Sequence, residues 1–415
     1  MMLGILFGLF FLLLFIGMPV AYGMVISAVV TLFFDPSLTG IIIPQKLFTG
    51  MDSFSLMAVP FFMLAGTLME KSGITDILVN WAKSLVGHFK GGLGHATIVT
   101  GVVMAGVSGS ANADTSALAS ILVPIMRKDG YDDGYSCAPL GPVIPPSIMM
   151  VLYSGVTSIA IGKLFMAGII PGLVIAIGYM IVNGVYARKA GIPKSKFVGW
   201  KALGQDTLKA LPALIMPVII IGGILSGATT ATEAGVVACV YSIIYGFIRK
   251  TMNTKHVWEC FKDAVHGTTN CMIVVVFAGI FGTLATNYNL SKVVLAASQV
   301  FHGNPYPLLI FISIILDTAG MLIDSNAAML MRVPIFTPLI AAYGFDPIYF
   351  AMVCILTLDM GGMSPPVGLL MYISASITDT PLEKVVRNIF KFITVNYSVT
   401  LLVIFIPALV TWLPS

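Results

Sequence analysis

Two segments of the chain place small polar side chains between apolar runs, and these residues are the most able to hold an ion. SGSANADTSA covers residues 108–117, and GMLIDSNAAM covers residues 320–329. Hydroxyl, amide and carboxylate oxygens, together with the carbonyls of unwound backbone, can supply the cage of oxygens that a sodium ion needs. The two segments are therefore the first candidates for a cation site.

Both polar segments belong to a longer pattern that occurs twice. The parts that follow the polar segment are, in order, VPIM (123–126), GYDDGYS (130–136) and GPVIPPS (141–147) in the first copy, and VPIF (333–336), GFDPIYF (344–350) and GGMSPPVG (361–368) in the second. Each copy predicts two short apolar helices joined by a polar tip, and then a helix interrupted at a Gly/Pro-Pro break. The helix pairs are predicted at 94–108 with 114–127, and at 305–321 with 327–341.

The composition excludes a water-soluble domain. Of the 415 residues, 58% are hydrophobic and only 10% are charged, and the mean hydropathy is +0.98, whereas soluble domains are roughly half apolar and a quarter charged. Runs of the roughly 20 apolar residues that span a bilayer recur along the chain. Further helices are predicted at 3–34 (broken at Pro19), 53–70, 147–187, 211–226, 228–248, 265–286, 347–360, 367–377 and 388–413. The first run lacks a preceding basic residue and a cleavage site, so we expect a retained helix rather than a signal peptide.

Basic residues indicate how the chain is oriented. Much of the net charge of +4 comes from two loops, one from Arg188 to Lys209 and one from Arg249 to Lys262. Two apolar runs lie between these loops, so both loops face the same side, which the positive-inside rule makes cytoplasmic. Segment 72–90 is amphipathic and is predicted to lie along the interface. The charge does not imply a nucleic-acid partner.

Helix breaks at membrane depth are costly unless they are buried in protein or line a cavity, because lipid cannot satisfy free N–H and C=O groups. Breaks at corresponding positions of two halves indicate the binding site of a secondary transporter. An odd number of crossings in each half would invert one copy relative to the other. The predicted fold is an all-α polytopic membrane protein with inverted repeats, two re-entrant helical hairpins and two discontinuous helices.

At these residues the chain resembles the large membrane subunit of the tripartite ATP-independent periplasmic (TRAP) transporters, a DctM-like family with the broad architecture of divalent-anion/sodium symporters. The resemblance extends over essentially the whole chain. Its most specific motifs are FSLMAVPFFMLAG (54–66), SGSANADTSA, LGPVIPPS (140–147), KLFMAGIIPG (163–172), ATEAG (231–235), GMLIDSNAAM, DPIYF (346–350) and SPPVG (364–368).

The resemblance implies a sodium-driven symporter of elevator type in the bacterial inner membrane. Its substrate would be a small organic anion, a C4-dicarboxylate or sialic acid. It implies a soluble periplasmic binding protein that delivers the substrate and a small four-helix membrane subunit as partners. Because Met1 begins directly in the large subunit, we expect the small subunit to be a separate chain. No cofactor other than the coupling sodium ions is expected.

The whole chain, 1–415, is predicted to be one transport domain. Within it, 1–90 and 172–290 are expected to form mainly scaffold and arm helices, and 91–171 and 303–380 mainly mobile transport elements. The two copies differ in one respect, because the stretch from Tyr135 to Pro139 is too short for the helix that the second copy has at 348–360. Either that helix is shortened or residues are missing from the sequence between Tyr135 and Gly141, and we favour the second explanation.

One sodium ion is assigned to each copy of the pattern. The expected ligands are Ser108, Ser110, Asn112, Gly141 and Pro145 in the first copy, and Asp324, Ser325, Asn326, Thr357, Gly361 and Ser364 in the second. By analogy with the family, most ligands should be backbone oxygens, so the glycines and prolines that shape the backbone matter most. The alternative is that these residues are merely polar helix caps.

The anionic substrate is expected between the tips, where helix N-termini present N–H groups and a positive dipole end. Its candidate contacts are Ser110, Ala111, Asn326 and Arg332. Arg332 is an intramembrane cation that suits a carboxylate, but it is equally compatible with a scaffold-paired arginine near a helix end. Asp317 is a candidate partner for Arg332. Asp114 is a candidate for stabilising the N-terminus of its own helix.

Three other function classes compete with a sodium-coupled carrier. A channel would need a continuous polar path, and no filter sequence or ring of like charges is present. An enzyme is not expected, since H-E-x-x-H and G-x-S-x-G are absent. A proton-coupled carrier stays open, because Asp324 or Asp359 is able to bind a proton. Thr230-x-x-Glu233 fits a capping box.

The five cysteines have no C-x-x-C spacing, so free thiols are expected. No pair of histidines has the spacing of metal ligands.

Overall fold

A computed structural model of the protein describes residues 1–35, 40–137 and 144–415, except for the side chain of Pro334, and in these ranges the chain is built from helices without a strand. In chain order the helices are α1 (Met2–Phe15), α2 (Val20–Phe33), α3 (Ile42–Met51), α4 (Ala58–Lys71), α5 (Ile74–Val86), α6 (Gly92–Ser108), α7 (Ala111–Lys128), α8 (Asp133–Ser136), α9 (Ile148–Thr157), α10 (Ile161–Lys189), α11 (Trp200–Leu225), α12 (Ala231–Ile248), α13 (Thr254–Asn287), α14 (Leu290–Ser298), α15 (Pro305–Leu322), α16 (Ser325–Tyr343), α17 (Pro347–Gly361), α18 (Leu369–Ile377), α19 (Leu382–Phe405) and α20 (Ala408–Thr411).

Six of the described helices are long and apolar enough to cross a bilayer on their own: α10, α11, α12, α13, α15 and α19. Their lengths run from 18 to 34 residues, and at a rise of about 1.5 Å per residue even the shortest spans about 27 Å. That is close to the roughly 30 Å hydrocarbon core. The predicted all-α, multi-pass membrane fold is confirmed.

Local sequence signals explain several helix boundaries. The first apolar run is interrupted as predicted, since α1 ends at Phe15 and α2 begins after Pro19. The predicted capping box is present at the start of α12, where the Thr230 side chain accepts from the Glu233 N–H and the Glu233 carboxylate accepts from the Thr230 N–H. These caps satisfy backbone donors that have no partner within the helix.

Other boundaries differ from the predictions. The run 147–187 is two helices, because Ser158 adopts a left-handed conformation with φ of +60° after α9. Helices α11 and α13 begin earlier than predicted, at Trp200 and Thr254, since their first turns are polar and carry no apolar run. Helices α3 and α14 were not predicted at all.

The two copies of the repeated pattern are unequal in length where the sequence suggested it. Helix α8 has four residues, Asp133–Ser136, whereas its counterpart α17 has fifteen, Pro347–Gly361. The predicted ligand Gly141 lies outside the described residues. The described residues before the first break end at Cys137, directly after α8, and the choice between a shortened helix and missing residues stays a prediction.

Helices that carry the polar tips pack against the two long helices α10 and α13. Helix α13 contacts α2, α3, α4 and α16, while α10 contacts α6, α9, α17 and α19. The five cysteines, Cys137, Cys239, Cys260, Cys271 and Cys354, are buried free thiols. The elements that carry the two tips are thus held between two long helices.

Candidate functional site

The first polar tip joins α6 to α7 and is held by its own side chains. The Ser110 hydroxyl caps α7 by accepting from the Ala113 N–H at 3.3 Å. Buried Ser108 donates to the Asp114 carboxylate at 2.7 Å and accepts from the Ser110 N–H at 3.1 Å. Because Asp114 is engaged by Ser108 near the start of α7, this carboxylate is part of the tip's own hydrogen-bond network.

Gly109 connects the first tip to the first break. Its carbonyl accepts from the Ile148 N–H at 2.9 Å, at the first residue of α9. Gly109 has a φ of +62°, and a Cβ there would lie 3.2 Å from the Pro146 carbonyl oxygen. Both the left-handed conformation and the close approach require glycine at this position. The tip and the Pro145–Pro146 break therefore form one connected backbone unit.

The second tip begins at Asp324, which caps α16. Its carboxylate accepts from the N–H groups of Asn326 at 3.0 Å and Ala327 at 3.3 Å. The next residue, Ser325, donates to the Leu358 carbonyl at 3.0 Å, in the last turns of α17. This side-chain contact connects the second tip to the second discontinuous helix.

The second break is also connected to its tip through the backbone. The Gly368 N–H donates to the Met321 carbonyl at 3.2 Å, and the Leu370 N–H donates to the Gly362 carbonyl at 3.1 Å. Helices α15 and α17 touch at two glycines, since a Cβ on Gly361 would lie 2.7 Å from the Gly320 Cα. Both breaks contain a cis Pro-Pro peptide, Pro145–Pro146 and Pro365–Pro366.

The tips and breaks of both copies meet at a small cavity of about 100 Å³. Its polar lining comes from the first tip and break and from the second tip and break: Gly109, Ser110, Asn112 and Ser147 in the first copy, and Asp324, Ser325, Asn326, Asp359 and Gly362 in the second. Residues more than 200 positions apart in the sequence therefore face the same space.

A larger cavity of about 550 Å³ lies against the same tips. It shares Met63, Ser110, Asn112, Asp324 and Asn326 with the small cavity, and Ser108 and Ala113 also line it. Its other wall consists of α4 and α13. The five shared residues thus separate a small, mainly polar cavity from a space that is large enough for a small organic molecule.

The structure brings together seven of the predicted site residues as cavity lining: Ser108, Ser110, Ala111, Asn112, Asp324, Ser325 and Asn326. The lining of these two cavities does not include four other predicted ligands, which lie in the breaks and the adjoining helix: Pro145, Thr357, Gly361 and Ser364. The hydroxyls of Thr357 and Ser364 donate to carbonyls one turn earlier in their own chain, at 2.7 and 2.9 Å. Their binding of an ion stays a prediction.

Arg332 does not line either cavity. In the described part of the chain its Nη1 atom is buried without a hydrogen-bond partner. The suggested pairing with Asp317 is wrong, because the Asp317 carboxylate accepts from the Tyr397 hydroxyl instead. Arg332 lies about two turns, roughly 10 Å, farther along α16 than Ser325 at the tip.

The wall that α13 provides was not predicted from the sequence. Asp263, Gly267, Asn270 and Val274 of α13 line the larger cavity, as does Thr67 of α4. The spacing of three, four and seven residues between the α13 positions is that of one helix face. That spacing was a usable signal, but the helix was predicted to begin only at residue 265, so Asp263 was not considered.

No group of three His, Cys, Asp or Glu side chains able to hold a metal ion occurs among residues 1–35, 40–137 and 144–415. The polar atoms at the cavities are hydroxyl, amide, carboxylate and backbone groups. Such a set suits a hard monovalent cation, and the helix N-termini at the tips suit an anion.

Comparison with known proteins agrees with this architecture. Residues 7–409 match the family described as "Tripartite ATP-independent periplasmic transporter, DctM component". The chain is 36% identical to the sialic acid TRAP transporter large permease protein SiaM of Vibrio cholerae, over 97% of this chain and 96% of that protein. It is 33% identical to the 2,3-diketo-L-gulonate TRAP transporter large permease protein YiaN of Escherichia coli, over 95% of each.

Among solved structures, the YdaH transporter of Alcanivorax borkumensis matches with a TM-score of 0.65 over 89% of each chain, at 11% sequence identity, which shows a shared fold. The family match covers nearly the whole sequence, and the two relatives exceed 30% identity. They are transporter permease subunits and not enzymes. The chain belongs to the DctM family, the large permease component of tripartite ATP-independent periplasmic transporters.

Proposed function

We propose that this chain is the sodium-coupled permease subunit for a small organic anion. The observation that carries the proposal is the convergence of both tips and both breaks on one cavity of about 100 Å³, with a larger cavity beside it. Matched helix breaks at a common site are the arrangement by which secondary transporters hold a coupling ion and a substrate together.

The coupling ions would be held mainly by backbone oxygens. In the first copy the tip and break are joined by the hydrogen bond from Ile148 to Gly109, and in the second by the bond from Ser325 to Leu358. These links keep the carbonyls around each break at fixed positions. A fixed cage favours an ion of one size, and we propose sodium at each break, with Ser110, Asn112, Asp324 and Asn326 contributing side-chain oxygens.

The anion would lie in the larger cavity, against the N-termini of α7 and α16. These helices have 18 and 19 residues, so their first turns carry the positive end of a helix dipole. Ser110 and Asn326, which line both cavities, are the proposed contacts, whereas Ala111 lines only the small cavity. Both named relatives transport a sugar acid, and we propose a carboxylate-bearing substrate of this kind or a C4-dicarboxylate.

We propose an elevator movement of the elements that carry the tips against a scaffold. The predicted division at residue 172 falls inside the continuous helix α10, Ile161–Lys189. Since α10 contacts α6, α17 and α19, we place the whole of α10 with the mobile elements. We propose that residues 1–90 and the helices from the end of α10 to residue 290 form the scaffold.

The name of the family implies two further components. We propose that a soluble periplasmic protein delivers the substrate, that a small four-helix membrane subunit completes the permease, and that the assembly lies in the bacterial inner membrane. The large cavity is the proposed point at which a delivered anion enters this chain.

Proton coupling is a second candidate, and one observation favours it. Asp324 and Asp359 both line the small cavity, and two carboxylates facing one small space favour protonation of one of them. A carrier of this type would move a proton with the anion in place of one sodium ion.

The test is transport by the chain reconstituted with its partners in liposomes, with sialic acid, 2,3-diketo-L-gulonate and succinate as probes. A sodium gradient alone should drive saturable uptake, whereas a proton gradient alone should not. Uptake that follows the proton gradient, and that Asp359→Asn abolishes, would replace sodium coupling with proton coupling. Flux that does not saturate would contradict the carrier mechanism.

A pair of serine variants on one helix locates the site. Ser110→Ala removes an oxygen that lines both cavities, and should raise the sodium concentration at half-maximal uptake. Ser120→Ala, on the same α7, removes a hydroxyl that donates only to the Ala117 carbonyl and should leave uptake unchanged. Equal effects of the two variants would remove the support for a site at the tip.

A further inference from the structure

A groove lies outside the transport cavities, between the α5–α6 connection and α10. Its volume is about 700 Å³. One wall comes from Val86, Phe89, Lys90 and His95, and the other from Ile177, Met180, Ile181, Gly184, Val185 and Arg188. None of these residues belongs to the tips, the breaks or the walls of the transport cavities.

One end of the groove is basic. Lys90, His95 and Arg188 line it, and its lining contains no acidic side chain. None of the three forms an ion pair with another residue of the described ranges. Arg188 lies in the last turn of α10, on the side that the positive-inside rule makes cytoplasmic. The rim therefore attracts an anion, since no acidic side chain lines the groove or pairs with these three residues within 4 Å.

The rest of the groove is apolar and faces outward. Ile177, Ile181 and Val185 are spaced four residues apart on α10 and are 58%, 63% and 46% exposed. Arg188 follows on the same face. Phe89 on the opposite wall is 52% exposed and packs edge-on against His95, with ring centroids 6.1 Å apart. The basic end thus continues directly into an exposed apolar stripe.

The length of this stripe matches one leaflet of a bilayer. At about 1.5 Å per residue, Ile177 lies about 16 Å from Arg188 along the axis of α10. Half of a roughly 30 Å hydrocarbon core is about 15 Å. A headgroup at Arg188 would therefore place acyl chains along the full stripe, whereas a free phosphate would use only the rim.

A glycine keeps the floor of the groove open. A Cβ on Gly184 would have the His95 ring as its nearest neighbour, at 4.0 Å. A larger side chain at this position would fit without a steric clash and would fill the space next to the basic rim. Gly184 thus offers a way to block the groove without changing any charge.

From the basic rim, the exposed stripe and its length, we propose that this groove binds an anionic phospholipid of the cytoplasmic leaflet. Its phosphate contacts Lys90, His95 and Arg188, and its acyl chains lie on Ile177, Ile181 and Val185. Basic pockets between membrane helices on the cytoplasmic side recognise such headgroups by charge. The lipid would bridge the connection after α5 and the end of α10.

The test is native mass spectrometry of the full chain in detergent, titrated with phosphatidylglycerol, phosphatidylcholine or glycerol 3-phosphate. The expected result is one retained phosphatidylglycerol per chain, with neither of the other two bound at the same concentration. Equal retention of phosphatidylcholine would overturn the charge argument. Displacement of the lipid by glycerol 3-phosphate at similar concentration would overturn the proposal of a bound lipid and would show that the groove binds a free phosphate ester.

Two sets of variants locate the site. Lys90→Gln with Arg188→Gln should weaken phosphatidylglycerol binding by roughly thirty-fold, the factor expected for two basic contacts at the membrane surface. The matched control is Arg249→Gln with Lys255→Gln, which removes the same charge from exposed residues outside the groove. Loss of binding in the control as well would overturn the proposed location.

Gly184→Leu tests the groove independently of charge, and its control is Gly279→Leu, at a position with nothing within 4 Å. Filling the groove should abolish retention of phosphatidylglycerol, while the control should retain it. Circular dichroism checks that each variant is folded. If the charge variants fail to fold, retention of the lipid by a folded Gly184→Leu variant still overturns the proposal.

Discussion

Replacing Gly361 by alanine tests how the second break is shaped. An alanine Cβ at this position would lie 2.7 Å from the Gly320 Cα and 2.8 Å from the Asp317 carbonyl oxygen, whereas real Cβ contacts are essentially never under 3.0 Å. The atoms in the way are mainly backbone, so no side chain can rotate aside. Helices α15 and α17 must therefore move apart.

Overpacking of this kind costs about 1–3 kcal/mol. The cost applies to the conformation in which α15 and α17 are in contact and the break is closed around its ion. Conformations without that contact do not bear it, so the penalty appears in the apparent affinity for sodium. At about 1.4 kcal/mol per tenfold change, the sodium concentration for half-maximal uptake should rise roughly 5- to 150-fold.

The assay is sodium-dependent uptake into proteoliposomes, with the melting temperature as a check of folding. Gly320→Ala should behave like Gly361→Ala, because the two glycines face each other. Gly222→Ala in α11, where nothing lies within 4 Å, is the control and should not change the sodium response. A folded Gly361→Ala protein with the sodium response of the wild type would refute the reasoning.

Three further variants separate capping and packing from ion binding. Asp324→Asn keeps the α16 cap, since asparagine and aspartate cap equally well, so the melting temperature in potassium chloride should hold while half-maximal uptake shifts to higher sodium. An unchanged sodium response would argue against a carboxylate ligand. Thr230→Ala removes the capping box of α12 and should destabilise the protein by about 1 kcal/mol in thermal unfolding, with uptake constants unaltered. Asn183→Ala removes a buried side chain that donates to the Gly91 carbonyl at 2.9 Å and accepts from Tyr135, and should cost about 1–3 kcal/mol; stability equal to the wild type would show that these bonds contribute nothing.

Features fixed by local chemistry could be predicted from the sequence. Ser110, Asp324 and Thr230 are side chains that cap helices, and each caps the helix that follows it. The apolar runs predicted the membrane fold because their length and composition suffice for that. The duplicated motif also predicted which distant segments would line a common cavity.

Features that depend on tertiary packing could not be predicted in the same way. Asp263 and Asn270 reach the larger cavity only because α13 packs against α16 and α4. Arg332 was a candidate by charge alone, and it lies about two turns of α16 beyond the tip, outside the lining of both cavities. Ser158 ends α9 in a left-handed conformation, which an apolar run does not reveal.

The central claim is that the two matched breaks each hold a sodium ion, and thermal unfolding of the purified chain in sodium or potassium chloride tests it most directly. An ion that binds only the folded state stabilises it, by about 2.7 kcal/mol at a hundred-fold excess over its dissociation constant. Sodium should raise the melting temperature above its value in potassium. Gly109→Ala and Gly361→Ala should each remove part of this rise. The variant that carries both substitutions should show no rise. Equal stabilisation by sodium and potassium, or an undiminished sodium effect in the double variant, would contradict the claim.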